Sequence, residues 1–204
     1  GLRGILNYTS RSNDGGLTWA DPKRMRTGRY VGSPPDEPAI FGGFSLTVPP
    51  LQLGDGTLVA PVHCVPVGKK PPCEIGLLRS SDEGRTWGAY TTIATDANRS
   101  ISFVEPALAA MPDGRWIVVS RTQVPVHPGT THPYKLGPNM VCHSNDAGQT
   151  WTEPELLPLE YTQSGSTNPF LLLTATGAVM YAVNTGTAFS YDAGRTWAPQ
   201  QLVC

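Results

Sequence analysis

The chain has 204 residues, of which 15% are charged and 39% hydrophobic, and its formal net charge is -1. This balance suits one compact domain and excludes a disordered chain. Near-neutral charge argues against nucleic acid as a partner, and no apolar run approaches the roughly 20 residues that span a bilayer.

Glycine (22) and proline (20) are abundant and fall between short apolar runs, the punctuation of an all-β protein with many turns. No segment keeps an amphipathic helical period, so almost no helix is expected. The first marked element is Ser12-Asn13-Asp14-Gly15-Gly16-Leu17-Thr18-Trp19. It recurs at Ser80–Trp87, Ser144–Trp151 and Ser190–Trp197, so the pattern S-x-D-x-G-x-T-W stands four times in the chain. Each copy reads mechanically. Asp and Ser fold back onto backbone N–H groups and pin a tight turn. Gly supplies a backbone angle closed to other residues, Thr starts the next strand, and Trp packs on the neighbouring sheet.

Between these boxes lies a second repeat, Leu51–Val59, Ala110–Val118 and Leu172–Met180, each reading as strand, glycine turn, strand. Strands are therefore expected over 45–53, 57–63, 75–80 and 86–93, then 103–111, 115–121, 138–144 and 150–157, then 167–173, 178–183, 186–190 and 196–203. Four-stranded units of this kind are the blades of a β-propeller. Blades are expected over 43–93, 103–157 and 167–203, with residues 1–25 forming the outer half of another. The chain, 1–204, then holds about three and a half blades, whereas closed propellers carry about 4–8, so its expected partners include the remaining blades of the same protein.

Alternating strand direction sorts the loops. The Asp-Gly turns and the boxes share one end of the sheets. The opposite end receives loops 26–44, 64–74, 94–104, 122–137 and 158–166 and the turn at Asn184. Binding chemistry concentrates in such loops. Glu105 and Arg121 stand at that end, brought side by side by a hairpin turning at Asp113-Gly114. From spacing alone the pair reads first as a structural ion pair, worth little if exposed.

Other polar groups are less pointed. Asp36 and Glu37 sit in a proline-rich loop, Lys69-Lys70 and the stretch 23–29 read as solvated charge, and His127, His132 and Tyr134 cluster after Arg121. His63 and His143 lie on strands without metal-ligand spacing, and no metal or cofactor is implied. Tyr161 and Tyr181 suit loop and core roles. Of the four cysteines, Cys64 and Cys73 are close in sequence while Cys142 and Cys204 have no obvious mates. Disulfides and buried thiols both fit, and a secreted or periplasmic location is favoured.

The boxes, together with the stretch from Glu105 through Asp113-Gly114 to Arg121, resemble the sialidase (neuraminidase) family of Asp-box propellers. The resemblance implies a six-bladed propeller and retaining removal of a terminal sialic acid from glycoconjugates. In that family a glutamate assists a tyrosine nucleophile and three arginines clamp the sugar carboxylate. Glu105 would be the glutamate and Arg121 one of the arginines. Residues 164–173 contain no arginine where another is expected, and Asn168 stands there instead. A non-catalytic carbohydrate-binding propeller, a glycosidase for another terminal sugar, and a protein-binding receptor module are the alternatives.

Overall fold

The computed structural model describes residues 8–24, 44–65, 72–98, 100–125, 134–159, 168–183 and 186–200. Among them there is no helix, and every strand pairing is antiparallel. Strands β1 (Tyr8–Thr9) and β2 (Lys23–Arg24) form a two-stranded sheet. In the second sheet β3 (Phe44–Ser45) and β4 (Leu51–Gln52) both pair with β5 (Leu58–Cys64), followed by β6 (Glu74–Ser80) and β7 (Gly88–Ala94). The third holds β8 (Ser102–Ala110), β9 (Trp116–Pro125), β10 (Tyr134–Leu136), β11 (Met140–Ser144) and β12 (Glu155–Leu156). The fourth is a simple meander of β13 (Phe170–Leu173), β14 (Val179–Val183), β15 (Gly186–Ser190) and β16 (Ala198–Gln200).

Hydrophobic strips on successive sheets close on one another. Val59, Ile75 and Leu77 of the second sheet pack with Phe103, Leu108 and Val118 of the third, all nearly inaccessible to solvent. Ile117, Val119 and Val141 of the third pack in turn with Val179, Tyr181 and Ala188 of the fourth. Burying each of the valine, leucine, isoleucine and phenylalanine side chains contributes about 1.5–3 kcal/mol, which orders the sheets side by side. Strand β8 touches β5 on one side and β13 on the other, so it is the inner strand of its sheet.

The four boxes are built alike. The serine hydroxyl donates to the aspartate and accepts the glycine N–H, as in Gly84 N to Ser80 Oγ at 2.8 Å. The aspartate accepts the threonine N–H and hydroxyl, as in Thr150 N to Asp146 Oδ1 at 2.9 Å. Threonine therefore closes the turn instead of opening a strand, and β7 begins only at Gly88. The residue before each box glycine is also left-handed, including Glu83, Ala147 and Ala193. Box tryptophans differ: Trp87 is buried in a cluster with Val62, Leu78 and Tyr90, whereas Trp19 is 65% exposed and does not pack as expected.

The residue just before the serine of each of the first three boxes reaches the next box. Arg11 pairs with Glu83 at 3.0 Å, Arg79 donates to the Ala147 and Gly148 carbonyls at 2.8 and 3.0 Å, and His143 hydrogen-bonds the backbone of Ala193. Each sheet thus clasps its successor at one place in the repeat.

Three expectations need correction. The strand expected over 150–157 is only β12, Glu155–Leu156, because the box threonine closes the turn. The strand expected over 45–53 is the pair β3 and β4, broken where Pro49 and Pro50 offer no ladder N–H. The loop expected over 122–137 is partly strand: β9 runs on to Pro125 and β10 pairs with it, Tyr134 opposite Pro125. Thr122 anchors this extension, its hydroxyl donating to the Pro138 carbonyl at 2.7 Å.

Candidate active site

The hairpin β8–β9 turns at Asp113 and Gly114, with Gly114 N–H donating to the Met111 carbonyl at 3.1 Å. This turn abuts the box of its own sheet, since Ala147 N–H donates to the Gly114 carbonyl at 3.0 Å. Glu105 and Arg121 lie toward the far end of the same hairpin, away from the boxes.

Their strands are not regularly paired there. Val104 opposes Arg121 and Ala107 opposes Val119, so two residues of β8 face one of β9 in a bulge. Glu105 is the bulged residue, with a left-handed φ of 54°. Its carboxylate Oε2 lies 2.6 Å from Arg121 Nε, with the two side chains 19% and 14% exposed. The contact is an ion pair without hydrogen-bond alignment, so Oε2 and Nε, both buried, have no hydrogen-bond partner. Burial raises the Glu105 carboxyl above its ordinary range and the Arg121 charge partly offsets this. The hairpin continues three residues past Glu105, as far as Ser102 opposite Gln123, so the pair sits inside the sheet end and not at its last rung.

His63, read from the sequence only as a strand histidine without metal-ligand spacing, completes the cluster. It lies on β5 of the second sheet, and its Nδ1 accepts the Glu105 N–H at 3.1 Å. Burial, then the Arg121 charge, lowers its pKa to about 4, leaving the ring neutral with its proton on Nε2. Only a tertiary contact brings it there; the signal in the sequence is no more than a histidine late in a strand preceding a loop.

A second polar cluster at this end of the second sheet also went unforeseen. The Tyr90 hydroxyl donates to buried Glu74 at 3.0 Å and lies 3.4 Å from Cys64 Sγ. Burial pushes the Tyr90 phenol upward and Cys64 to about 12, which makes these groups inert structural partners. Cys64 and Cys142 are buried free thiols. Tyr181 is fully buried and its hydroxyl accepts from Asn139 Nδ2 at 2.6 Å, a core role as expected. Tyr134 is 42% exposed on β10, and Asn168 is exposed just before β13. Asp36, Glu37, Lys69, Lys70, His127, His132, Tyr161, Asn184 and Cys204 lie outside the described residues. Among the described residues no group of three or more His, Cys, Asp or Glu converges as a metal site.

Residues 3–199 match the BNR repeat-like domain. No curated protein matches the chain. Solved structures do. The Penicillium chrysogenum α-L-arabinanase complexed with arabinobiose superposes with a TM-score of 0.66 at 16% identity, over 97% of this chain and 55% of that one. The Hadza microbial sialidase Hz136 gives 0.57 at 17% identity, over 96% and 37%. The Streptococcus pneumoniae NanB sialidase gives 0.56 at 12% identity, over 79% and 44%. This chain spans about half the length of the arabinanase and less of the two sialidases. Likeness at these identities is one of fold: the chain has the all-β fold of the sialidase and arabinanase propellers.

Proposed function

The chain belongs to the BNR repeat-like domain family, and from that premise we propose that the whole protein is a glycoside hydrolase removing a terminal sugar from a glycan, with Glu105 and Arg121 in its site. The observation that carries the reading is the half-sequestered Glu105–Arg121 pair at the loop end of the sheets, 2.6 Å apart. A carboxylate raised by burial is a better proton acceptor near neutral pH than an exposed one, the property a base toward a weak nucleophile needs. A guanidinium beside it suits an anionic sugar, because Arg binds carboxylates through a planar fork. In the sialidase-like reading, Arg121 holds the carboxylate of a terminal sialic acid and Glu105 takes the proton of a nucleophile supplied elsewhere in the protein. The blades over 43–93, 103–157 and 167–203, with 1–25, would be about half of a six-bladed ring completed by that protein.

A second reading, a neutral terminal sugar, is favoured by Asn168 at the position where the resemblance calls for an arginine, and by Glu105 already neutralising Arg121. An arabinose-acting propeller is among the similar folds.

The test uses the full-length protein with a fluorogenic α-sialoside and an aryl α-L-arabinofuranoside side by side. Arg121→Ala and Glu105→Gln are each expected to cut turnover by about a hundredfold or more with the fold retained. Sialoside turnover supports the first reading and arabinofuranoside turnover the second. Binding without turnover of either would make the protein a carbohydrate-binding propeller, and unchanged rates in both variants would remove the pair from the site.

A further inference from the structure

Among the described residues, the non-glycine residues with a left-handed backbone are Glu83, Ala147, Ala193 and Glu105. The first three occupy one place in three boxes, where serine and aspartate hydrogen bonds hold the turn. Glu105 sits in a strand without such local support, and a side-chain-bearing residue adopts this conformation only when its surroundings enforce it. The enforcement comes from the neighbouring sheet. His63 Nδ1 accepts the Glu105 N–H at 3.1 Å, and the Thr47 hydroxyl reaches the Pro106 carbonyl at 3.5 Å. The peptide groups entering and leaving the two bulge residues are thereby engaged from the second sheet.

We infer that His63 is a positioning residue for Glu105: by accepting the bulge amide it keeps the glutamate carboxylate turned onto Arg121. The inference rests on the proposed assignment of Glu105 and Arg121 to the site. The requirement is specific. Position 63 must present a lone pair two bonds from its Cβ, on a ring that carries its proton on the other nitrogen. Asparagine Oδ1 stands the same number of bonds from Cβ, so His63→Asn keeps an acceptor in place. His63→Leu fills similar space and offers none.

Three measurements on the full-length protein test this. In the wild type, 15N NMR is expected to show coupling through the hydrogen bond between the Glu105 amide nitrogen and His63 Nδ1; no coupling, with both signals assigned, overturns the inference. Crystal structures of the two variants then read the Glu105 backbone. His63→Leu is expected to release Glu105 from its left-handed conformation, and His63→Asn to retain it. Kinetics on whichever aryl glycoside the wild type hydrolyses are expected to show kcat falling about a hundredfold in His63→Leu with a smaller change in KM, and recovering in His63→Asn. Glu105 still left-handed against Arg121 in His63→Leu, or His63→Asn as impaired as His63→Leu, would overturn it. If His63→Leu does not fold, the wild-type coupling and His63→Asn decide. A wild type that hydrolyses neither glycoside defeats the functional reading alone, because coupling and backbone conformation are read without turnover.

Discussion

At one end of these sheets four aspartates sit well below the ordinary carboxylate range; at the other, Glu105 sits above it. Asp14, Asp82 and Asp146 are lowered to about 2 chiefly by the threonine hydroxyl, then by the threonine N–H and the serine hydroxyl. At Asp192 burial pushes upward, and the same donors overcome it to reach about 2. Glu105 has burial in place of donors, and one guanidinium that only partly compensates. The difference separates two uses of a carboxylate. Saturated with hydrogen bonds in water, it is a fastener whose proton affinity is low; stripped of water beside a strained backbone, it is a group with proton affinity to spare. Substitutions at the box end should therefore register as stability, and those at the loop end as chemistry.

The largest stability effect is expected at Trp87. It is 3% exposed among Val62, Leu78 and Tyr90, and Trp87→Ala should cost about 3–5 kcal/mol in denaturant titrations. Trp19, the same residue of the first box, is 65% exposed, and Trp19→Ala should stay within about 0.5 kcal/mol. Equal losses at the two positions would mean that the box tryptophan acts within its own turn and not through the core behind it.

Acid should expose the fasteners next. The aspartates titrate near 3.8 when unfolded and about 2 when folded, so their contribution is complete above pH 4 and is lost as pH falls toward 2. Glu105, with its folded pKa raised, works with the opposite sign and cannot supply this loss. Asp146→Asn should be less stable than wild type at pH 7, and the gap should narrow between pH 4 and 2 in melting experiments. A gap independent of pH would show that the aspartate acts by shape and not by charge.

The box end was legible because one physical demand is met four times by one set of residue types: a serine and an aspartate to pin and a glycine to bend; only the threonine, read as the start of a strand, turns out to close the turn instead. The clasps between boxes were not, although they too repeat, because Arg11, Arg79 and His143 meet a carboxylate or a backbone carbonyl that residues of different kinds can reach. At the loop end the hairpin pairing was half legible. Continuing the register of Ala110 with Trp116 puts Glu105 opposite Arg121, yet the bulge gives Arg121 Val104 instead. A slip of one residue ordinarily turns a side chain to the other face. Here the left-handed backbone of Glu105 accompanies the slip and the carboxylate still meets Arg121, so the pair was found by a register that the structure does not use. Neither the bulge nor its support by His63 has a signature in the local sequence, since both depend on the adjoining sheet.

The clasps give the smallest effects and the finest division of the box end. Arg79 is half-buried, donates to two carbonyls of the third box, and lies 5.8 Å from the centre of the Trp116 ring. Arg79→Ala would leave the Ala147 and Gly148 carbonyls without those charged donors and uncover part of the ring, a loss of about 1.5–3 kcal/mol. Arg11 holds the same place one sheet earlier, but its partner is the Glu83 carboxylate, with the two side chains 43% and 60% exposed. An ion pair so open to solvent is worth about 0–1 kcal/mol, and salt should erase what there is. Urea titrations of both variants at low and at molar salt separate the cases: Arg79→Ala destabilised in both, Arg11→Ala at low salt or not at all. If the Arg79 effect also vanished in salt, the clasp would be long-range attraction and not the backbone contact seen here. The sheets would then be ordered by their apolar faces alone, with the repeat position before each box free to vary.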